Sequence, residues 1–195
     1  MPWIEPVTLT GKLVRLEPLA QKHHDDLVAA ASDGELWNLW YTLVPEPAGM
    51  MAEIERRLAL QEGGSMLPFA VIERATGRAA GMTTYMHIDA ESRRVEIGST
   101  WLRKSVQRTA LNTECKLLLL SHAFDALDCI AVEFRTSAAN TQSRRAIERL
   151  GAKLDGILRS HAWHKNGTLR DTVVYSITSA EWPDVRLRLA AMVPA

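Results

Sequence analysis

The stretch RVEIGSTWLRKSVQRTALN, residues 94–112, decides the fold of this chain. Its first part, Arg94 to Leu102, has the composition of a strand, and from Leu111 onward apolar residues recur at helical spacing. A short basic loop joins the two segments. A strand that passes through a short loop into a helix is a building unit of α/β proteins, and the free amides at the start of such a helix favour phosphate.

The segments on either side extend this unit into a mixed α/β chain. Upstream, the pattern predicts a strand over 12–18, helices over 19–31 and up to about 61, and strands over 67–73, 79–89 and 94–102. Downstream, it predicts a helix from 111, a strand over 130–136, a helix over 139–150, a hairpin of 152–161 and 169–177, and an amphipathic tail over 182–192. With no internal repeat or linker, we expect one domain over residues 1–195.

A second strand-to-helix junction follows the first along the chain. Asn140 and Ser143 open the helix that precedes Gly151, and they share one helical face with Ile147 and Leu150. A simple N-cap explains Asn140 equally well. Two such junctions in succession, however, are the arrangement expected of a ligand crevice at the carboxyl edge of an α/β sheet.

Composition and charge exclude several classes of protein. Lys plus Arg and Asp plus Glu both number 23, so no bulk field favours nucleic acid or an anionic membrane. The beginning of the sequence has no basic or apolar leader pattern, and no run of about 18 apolar residues occurs. Cys115 and Cys129 have neither C-x-x-C nor zinc-finger spacing, so a reducing, cytoplasmic setting is expected.

Two motifs resemble those of the GNAT acetyltransferases, in particular the RimJ/RimL-like branch. The first is Gln107-x-x-Ala110-x-Asn112 directly after the strand, and the second is Asn140 with Leu150-Gly151 eleven residues later. The resemblance extends from about residue 13 to 182. It implies a GNAT-type α/β fold, a central twisted mixed sheet of about seven strands flanked by helices, with acetyl-CoA as co-substrate and no metal.

The resemblance also implies which residues hold the coenzyme. The family's loop has glycine where Ala110 stands and glycine or alanine where Asn112 stands, so this loop departs from the family pattern at both positions. Arg103, Lys104 and Arg108 add positive charge beside it, although a solvated basic loop accounts for them as well. The implied coenzyme-binding residues are Trp101, Leu102, Arg103, Gln107, Arg108, Thr109, Ala110, Leu111, Asn112, Asn140 and Ser143.

Two residues are candidates for proton transfer. By resemblance, Glu96 is the base that deprotonates the acceptor amine, and the alternative is a surface carboxylate on a strand. Many relatives have a tyrosine seven positions after the motif asparagine, where this chain has Ile147. Ser143, or water, is then expected to protonate the departing thiolate, and Cys115 and Cys129 are expected to take no part.

The acceptor and the oligomeric state are the least determined features. The resemblance suggests a protein N-terminal amine, while a small amine fits a neutral chain equally well, and we expect a homodimer. Trp37, Trp40 and Tyr41 are expected in the core or a dimer surface, with an acceptor wall as the alternative. His23-His24-Asp25-Asp26 predicts no metal site, since adjacent helical positions face apart.

Two other functions remain open at this point. A coenzyme-binding module without turnover would fit the altered loop and the missing tyrosine. A nucleic-acid-binding surface would use the arginines and lysine at the two junctions, but bulk basicity is lacking. Those residues are Arg103, Lys104, Arg108, Arg144 and Arg145.

Overall fold

A computed structural model describes residues 3–194. The described strands are β1 Leu9–Thr10, β2 Val14–Pro18, β3 Met66–Glu73, β4 Arg78–Asp89, β5 Arg94–Leu102, β6 Ala131–Ser137, β7 Lys153–Trp163 and β8 Leu169–Thr178. The α-helices are α1 His24–Ser32, α2 Met50–Glu62, α3 Ala110–Ser121, α4 Thr141–Leu150 and α5 Trp182–Ala191.

All the described strands form one mixed sheet in the order β1-β2-β3-β4-β5-β6-β8-β7. Neighbouring strands are antiparallel except for β5 and β6, which are parallel. The mixed α/β architecture predicted from the sequence is therefore confirmed. The sheet has eight strands rather than about seven, because the two-residue strand β1 pairs with β2.

Helices cover the sheet unevenly. One face packs against α3, α4 and α5, with Phe69, Tyr85 and Leu119 in its core. The other face is covered by α1 and α2 only at β3, β4 and the end of β5, where Met82 contacts the cluster around Ile54. β3 is consequently buried on both faces, which explains its unbroken apolar sequence. Over β6, β8 and β7, that second face has no described helix upon it.

The predicted boundaries are mostly correct to within two residues, with one larger difference at the amino end. The first helix was expected from residue 19 but begins at His24, because a single 3-10 turn over Gln21–His23 precedes it. Gly151 is the C-cap of α4, and its φ of 97° lies in the left-handed region that glycine adopts freely.

The parallel pair separates soon after it begins. Register pairs join Arg94 to Ala131, Val95 to Val132 and Glu96 to Glu133, and none follows in the described part of the chain. Both strands nevertheless continue, β5 to Leu102 and β6 to Ser137. The facing edges of these two segments therefore bound a wedge that opens toward their carboxyl ends, and we call it the β5–β6 wedge.

A buried carboxylate attaches the amino-terminal strands to α3. Glu114 is 4% exposed and accepts hydrogen bonds from the backbone amides of Lys12, Leu13 and Val14 at 2.7, 2.7 and 2.8 Å. A Cβ at Gly11 would lie 2.5 Å from the Glu114 carboxyl carbon, so glycine permits this approach. The contact spans about 100 residues of sequence and fixes where β2 meets α3.

We predict that Glu114→Gln lowers the free energy of unfolding by about 2–4 kcal/mol, because an amide has one acceptor oxygen where the carboxylate satisfies three amides. The exposed Glu55 of α2 is the matched control, and Glu55→Gln should change stability by less than about 0.5 kcal/mol. Urea denaturation followed by circular dichroism measures both. Equal losses in the two variants would contradict the role of Glu114.

Candidate active site

The amino-terminal ends of α3 and α4 lie together at the mouth of the β5–β6 wedge. Gln107, before α3, and Gln142, in the first turn of α4, approach to 3.5 Å through their side-chain amides. Neither helix has an acidic residue in its first turn. The positive ends of both helix dipoles are therefore uncompensated by their own first turns, which suits an anionic ligand.

The start of α3 differs from the expected glycine-type loop. Ala110 is the first residue of the helix, and Asn112 is in its first turn rather than in the loop. The positive φ of 63° falls instead on Arg108, so the absence of glycine at the motif positions imposes no backbone strain. Thr109 caps the helix by accepting the Leu111 amide at 3.3 Å. The Asn112 Oδ1 atom is buried with no hydrogen-bond partner in the described chain.

The basic residues beside this helix are not equivalent. Arg103 donates to Glu73 Oε2 at 2.6 Å, so its charge is balanced within the protein. Lys104 and Arg108 are exposed and form no ion pair within residues 3–194. The side chains of Trp101 and Leu102 pack on opposite faces of the sheet, so only their backbone groups reach the wedge.

The start of α4 supplies a cap and a hydroxyl. Asn140 Oδ1 accepts the backbone amide of Ser143 at 3.0 Å, as the simple N-cap interpretation predicts. The Ser143 hydroxyl has no hydrogen bond within the described chain, and its residue is partly buried. Ile147 packs into the core on the α3 side of the sheet, which leaves no hydroxyl at the position where relatives have tyrosine.

Glu96 is a buried carboxylate at the last register pair before the wedge opens. It is 5% exposed, so the surface-carboxylate interpretation is wrong. His87 Nδ1 donates to Glu96 Oε2 at 2.7 Å, and Arg135 Nε lies 3.5 Å from the same oxygen. Burial raises the pKa of Glu96, although His87 and Arg135 oppose that shift. A carboxylate with a raised pKa is suited to accept a proton near neutral pH.

The space above Gly98 is occupied by two neighbouring side chains. A Cβ at Gly98 would lie 2.6 Å from Glu96 Oε1 and 2.8 Å from the sulfur of Met86. The absence of a side chain at Gly98 therefore leaves the room in which the Glu96 carboxyl group folds over its own strand.

A β-bulge follows directly in β5. Gly98 opposes Thr84 and Trp101 opposes Met82, so β5 has one residue more than β4 here, and Ser99 has a φ of 47°. Arg57 of α2, only 2% exposed, holds this bulge: it donates to Thr84 Oγ1 at 2.7 Å and to the Ser99 carbonyl at 3.4 Å. Its Nε is paired with Glu53 at 2.7 Å.

The β7–β8 hairpin bends over the face of the sheet that carries Glu96. Between Leu158 and Ala162, β7 spans four positions against two in β8, which produces the bend. His164 near the hairpin tip approaches Ser137 Oγ at 3.3 Å, and its ring lies 4.7 Å from that of Trp40 in edge-to-face geometry. Lys165 also donates to the Val44 carbonyl at 3.4 Å. We call these contacts between the hairpin tip and residues 40–44 the roof.

The aromatic residues between α1 and α2 therefore have separate positions. Trp40 and Tyr41 contact each other at 5.5 Å between ring centroids, and Trp40 is 42% exposed in the roof. Trp37 instead packs against the core cluster of α1 and α2. Trp37 is therefore a core residue, whereas for Trp40 the acceptor wall remains a prediction.

Several polar residues of the site belong to no recognisable sequence motif. Arg57 lies on the apolar stripe of α2, and Lys116, 6% exposed, lies on that of α3 and donates to Thr100 Oγ1 at 2.7 Å. A cation inside an apolar helical stripe is the one signal that could have identified both. His87 and Arg135 become neighbours of Glu96 only through strand pairing, so periodicity along the sequence does not reveal them.

Within 3–194, no group of three or more His, Cys, Asp or Glu side chains is placed to hold a metal. Cys115 and Cys129 are free and buried. Among the described helices, none has both the length and the apolar character needed to cross a membrane.

Comparison with known proteins agrees with this geometry. The family model of the acetyltransferase (GNAT) domain matches residues 14–153. YdaF of Bacillus subtilis (strain 168), named for ribosomal N-acetyltransferase activity, is 30% identical over 106 residues, 54% of this chain and 57% of its own length. The chain thus matches little more than half of that curated relative.

Solved structures share the fold over nearly the whole chain. A GCN5-related N-acetyltransferase from Brucella melitensis is 37% identical with a TM-score of 0.86, covering 97% of this chain and 86% of that one. Mycobacterium smegmatis RimJ, solved with CoA-disulfide, is 23% identical with a TM-score of 0.80 over 95% of this chain and 94% of its own, a likeness of fold. With the family model matching well over half of its length, this chain belongs to the GNAT acetyltransferase family.

Proposed function

We propose that this protein transfers an acetyl group from acetyl-CoA to a primary amine. The observation that carries the proposal is the β5–β6 wedge, with the buried Glu96 at its closed end and two helix amino termini at its mouth. A thioester entering from the helix ends would meet an amine deprotonated at Glu96. We further propose one acetyltransferase domain over residues 1–195, acting in the cytoplasm as a homodimer.

The residues at the mouth fit a coenzyme A pyrophosphate. First-turn amides of α3, with no acid beside them, and the unpaired charges of Lys104 and Arg108 favour an anion. Inside the wedge, the facing edges of β5 and β6 past Glu96 and Glu133 are without ladder partners in the described chain. Their backbone groups can therefore pair with the amides of the pantetheine arm.

Glu96 and Ser143 are the two groups that transfer protons in the proposed reaction. Glu96 takes the proton of the ammonium group, and His87, hydrogen-bonded to Glu96, links that carboxylate to solvent because its side chain is 61% exposed. The amine then attacks the thioester carbonyl in a ternary complex, and a backbone amide near Trp101 or Leu102 stabilises the negative oxygen. The attacking nitrogen then loses its second proton and the thiolate leaves; Ser143 donates its hydroxyl proton to the thiolate and regains one from water.

The acceptor is proposed by analogy with named relatives. YdaF and a structural neighbour named RimL, the ribosomal L7/L12 alpha-N-protein acetyltransferase, act on ribosomal protein amines according to their names. A protein N-terminal amine is therefore the first acceptor class to test here, and small primary amines are the second.

A coenzyme-binding module without turnover is the second candidate function. The packed Ile147 in place of tyrosine favours it, because no hydroxyl stands at that position to protonate the thiolate. Thiol release from acetyl-CoA, measured with a library of amines and N-terminal peptides, separates the two. Binding of coenzyme A without thiol release for any acceptor would identify the module.

We predict that coenzyme A raises the melting temperature, since a ligand that binds only the folded state stabilises it. Ala110→Ile should abolish most of that shift, because a bulky side chain in the first turn of α3 obstructs the approach of phosphate to the amides. Ala59→Ile, on an exposed position of α2, is the matched control and should keep the full shift. An undiminished shift in folded Ala110→Ile protein would place the pyrophosphate elsewhere.

We predict that Glu96→Gln removes the acidic limb of the pH–rate profile. In the wild type, turnover should rise as pH passes through the raised pKa of Glu96, because only the ionised carboxyl accepts the proton. The Gln variant should be slowest relative to wild type below the pKa of the amine and recover partly above it. Glu91→Gln, an exposed carboxyl in the β4–β5 turn, should leave the profile unchanged.

The thermal stability of Glu96→Gln tests whether misfolding causes its loss of activity. Because folding raises the pKa of Glu96, ionisation of this carboxyl opposes folding at pH values above that pKa. At neutral pH the Gln variant should therefore melt no lower than the wild type. An unchanged pH profile in a stable variant would make Glu96 a structural carboxylate.

We predict that Ser143→Ala lowers kcat by about tenfold while changing the affinity for acetyl-CoA little, since proton donation matters only when the thiolate departs. Thr141→Ala removes an exposed hydroxyl from the same helical turn and should have no effect. Single-turnover and steady-state kinetics measure both. Full turnover in Ser143→Ala across the pH range would assign the proton to water.

A further inference from the structure

Arg170 is a partly buried arginine that forms no ion pair in the described chain. Its Nε atom is inaccessible to solvent and has no hydrogen-bond partner. No ion pair or side-chain hydrogen bond involves its guanidinium within residues 3–194. A cation held partly out of water without an anion costs folding free energy, so a counter-ion supplied from outside would be bound favourably.

The strand register places Arg170 on the same face as the candidate base. Arg170, Thr172 and Val174 alternate along β8, and Val174 is the register partner of Arg135 on β6. Arg135 in turn lies 3.5 Å from Glu96. Arg170 is therefore displaced from Glu96 along this face toward the open end of the wedge.

The two side chains are also electrostatic neighbours. Burial lowers the pKa of Arg170, and the negative charge of Glu96 opposes that shift. The bent hairpin encloses this part of the sheet: His161 approaches Thr172 Oγ1 at 3.1 Å, and the roof residue His164 contacts Ser137, the register partner of Thr172. Arg170 consequently lies at the base of the bent hairpin, on the face of the sheet that carries Glu96.

The neighbouring arginines do not share this property. Arg135 donates to Glu133 at 2.9 Å and also faces Glu96, so both of its acidic partners are internal. Arg94 is likewise paired with Glu133. Arg170 alone among these three arginines presents an unpaired guanidinium, whose planar fork matches a carboxylate better than any other anion found beside an amine.

We propose that Arg170 is a specificity-determining residue that binds a carboxylate of the acceptor, carried within a few bonds of the amine that Glu96 deprotonates. This inference rests on the proposed acetyl transfer and names its acceptor class. The carboxylate is either the α-carboxylate of a free amino acid or the side chain of an acidic residue at the amino terminus of a peptide. Holding it at Arg170 orients the amine lone pair toward the wedge.

The test compares acceptors that differ only in this carboxylate. Amino acids are paired with their carboxamides, and peptides beginning with Asp or Glu are paired with peptides beginning with Asn or Gln. kcat/KM is measured by thiol release, and affinity is measured by calorimetry in the presence of coenzyme A. The enzymes are the wild type, Arg170→Gln, Arg170→Lys and the control Arg159→Gln, an exposed arginine of the same hairpin.

We expect the wild type to prefer the carboxylate member of at least one pair by about tenfold or more, as for a charge-assisted hydrogen bond. Arg170→Gln should lose that preference through a higher KM for the carboxylate member, with the KM for acetyl-CoA and the rate with the carboxamide unchanged. Arg170→Lys should retain part of the preference, and Arg159→Gln should retain all of it. The pair that shows the preference identifies a free amino acid or a peptide as the source.

Two results would overturn the inference: no preference in the wild type, or a preference that survives in folded Arg170→Gln protein. A merely structural arginine would lower the rates with both members of a pair equally, which also overturns it. Failure of the proposed function is a different outcome, because thiol release would then be absent for every acceptor. The carboxylate preference would in that case still be decided by the calorimetric affinities.

Discussion

Everything at this site depends on the separation of two parallel strands after three register pairs. Had β5 and β6 stayed paired to their ends, the backbone groups past Glu96 and Glu133 would be satisfied within the sheet and no ligand could enter. The bulge at Ser99 turns β5 away, and the buried Arg57 of α2 donates hydrogen bonds that hold this turn. The unmade ladder leaves backbone donors and acceptors that a ligand with amide groups of its own can pair with.

The interior of the protein contains several charged side chains, which differ in how fully other groups of the protein pair with them. Glu114 is fully satisfied by three backbone amides, and Arg57 is paired with Glu53, so both are structural. Burial raises the pKa of Glu96 although His87 and Arg135 oppose the shift, which is the condition for reversible protonation. Arg170 forms no ion pair or side-chain hydrogen bond within residues 3–194. The charges with internal partners thus lie in the structural part of the fold, and the charge without one lies on the acceptor side of the wedge.

The order of strands and helices could be predicted because the helices have their own apolar period and several of the turns contain a glycine, as at Gly151 and Gly167. The coenzyme side was predictable for a related reason: Asn140 and Thr109 are local caps that adjacent residues define. The acceptor side was not. His87 and Arg135, 9 and 39 residues from Glu96 in sequence, contact it only because their strands pair with β5. Arg170, 74 residues away, comes to the same face only through the pairing of β8 with β6, and no local pattern records either.

The roof is held by few contacts. One aromatic contact between Trp40 and His164 and one long hydrogen bond from Lys165 join the hairpin to the segment between α1 and α2. Breaking them disturbs neither core cluster, so the roof can open at a small fraction of the free energy of global unfolding. Acceptor exchange can therefore be a gated step, and product departure rather than bond formation can set the pace of the catalytic cycle.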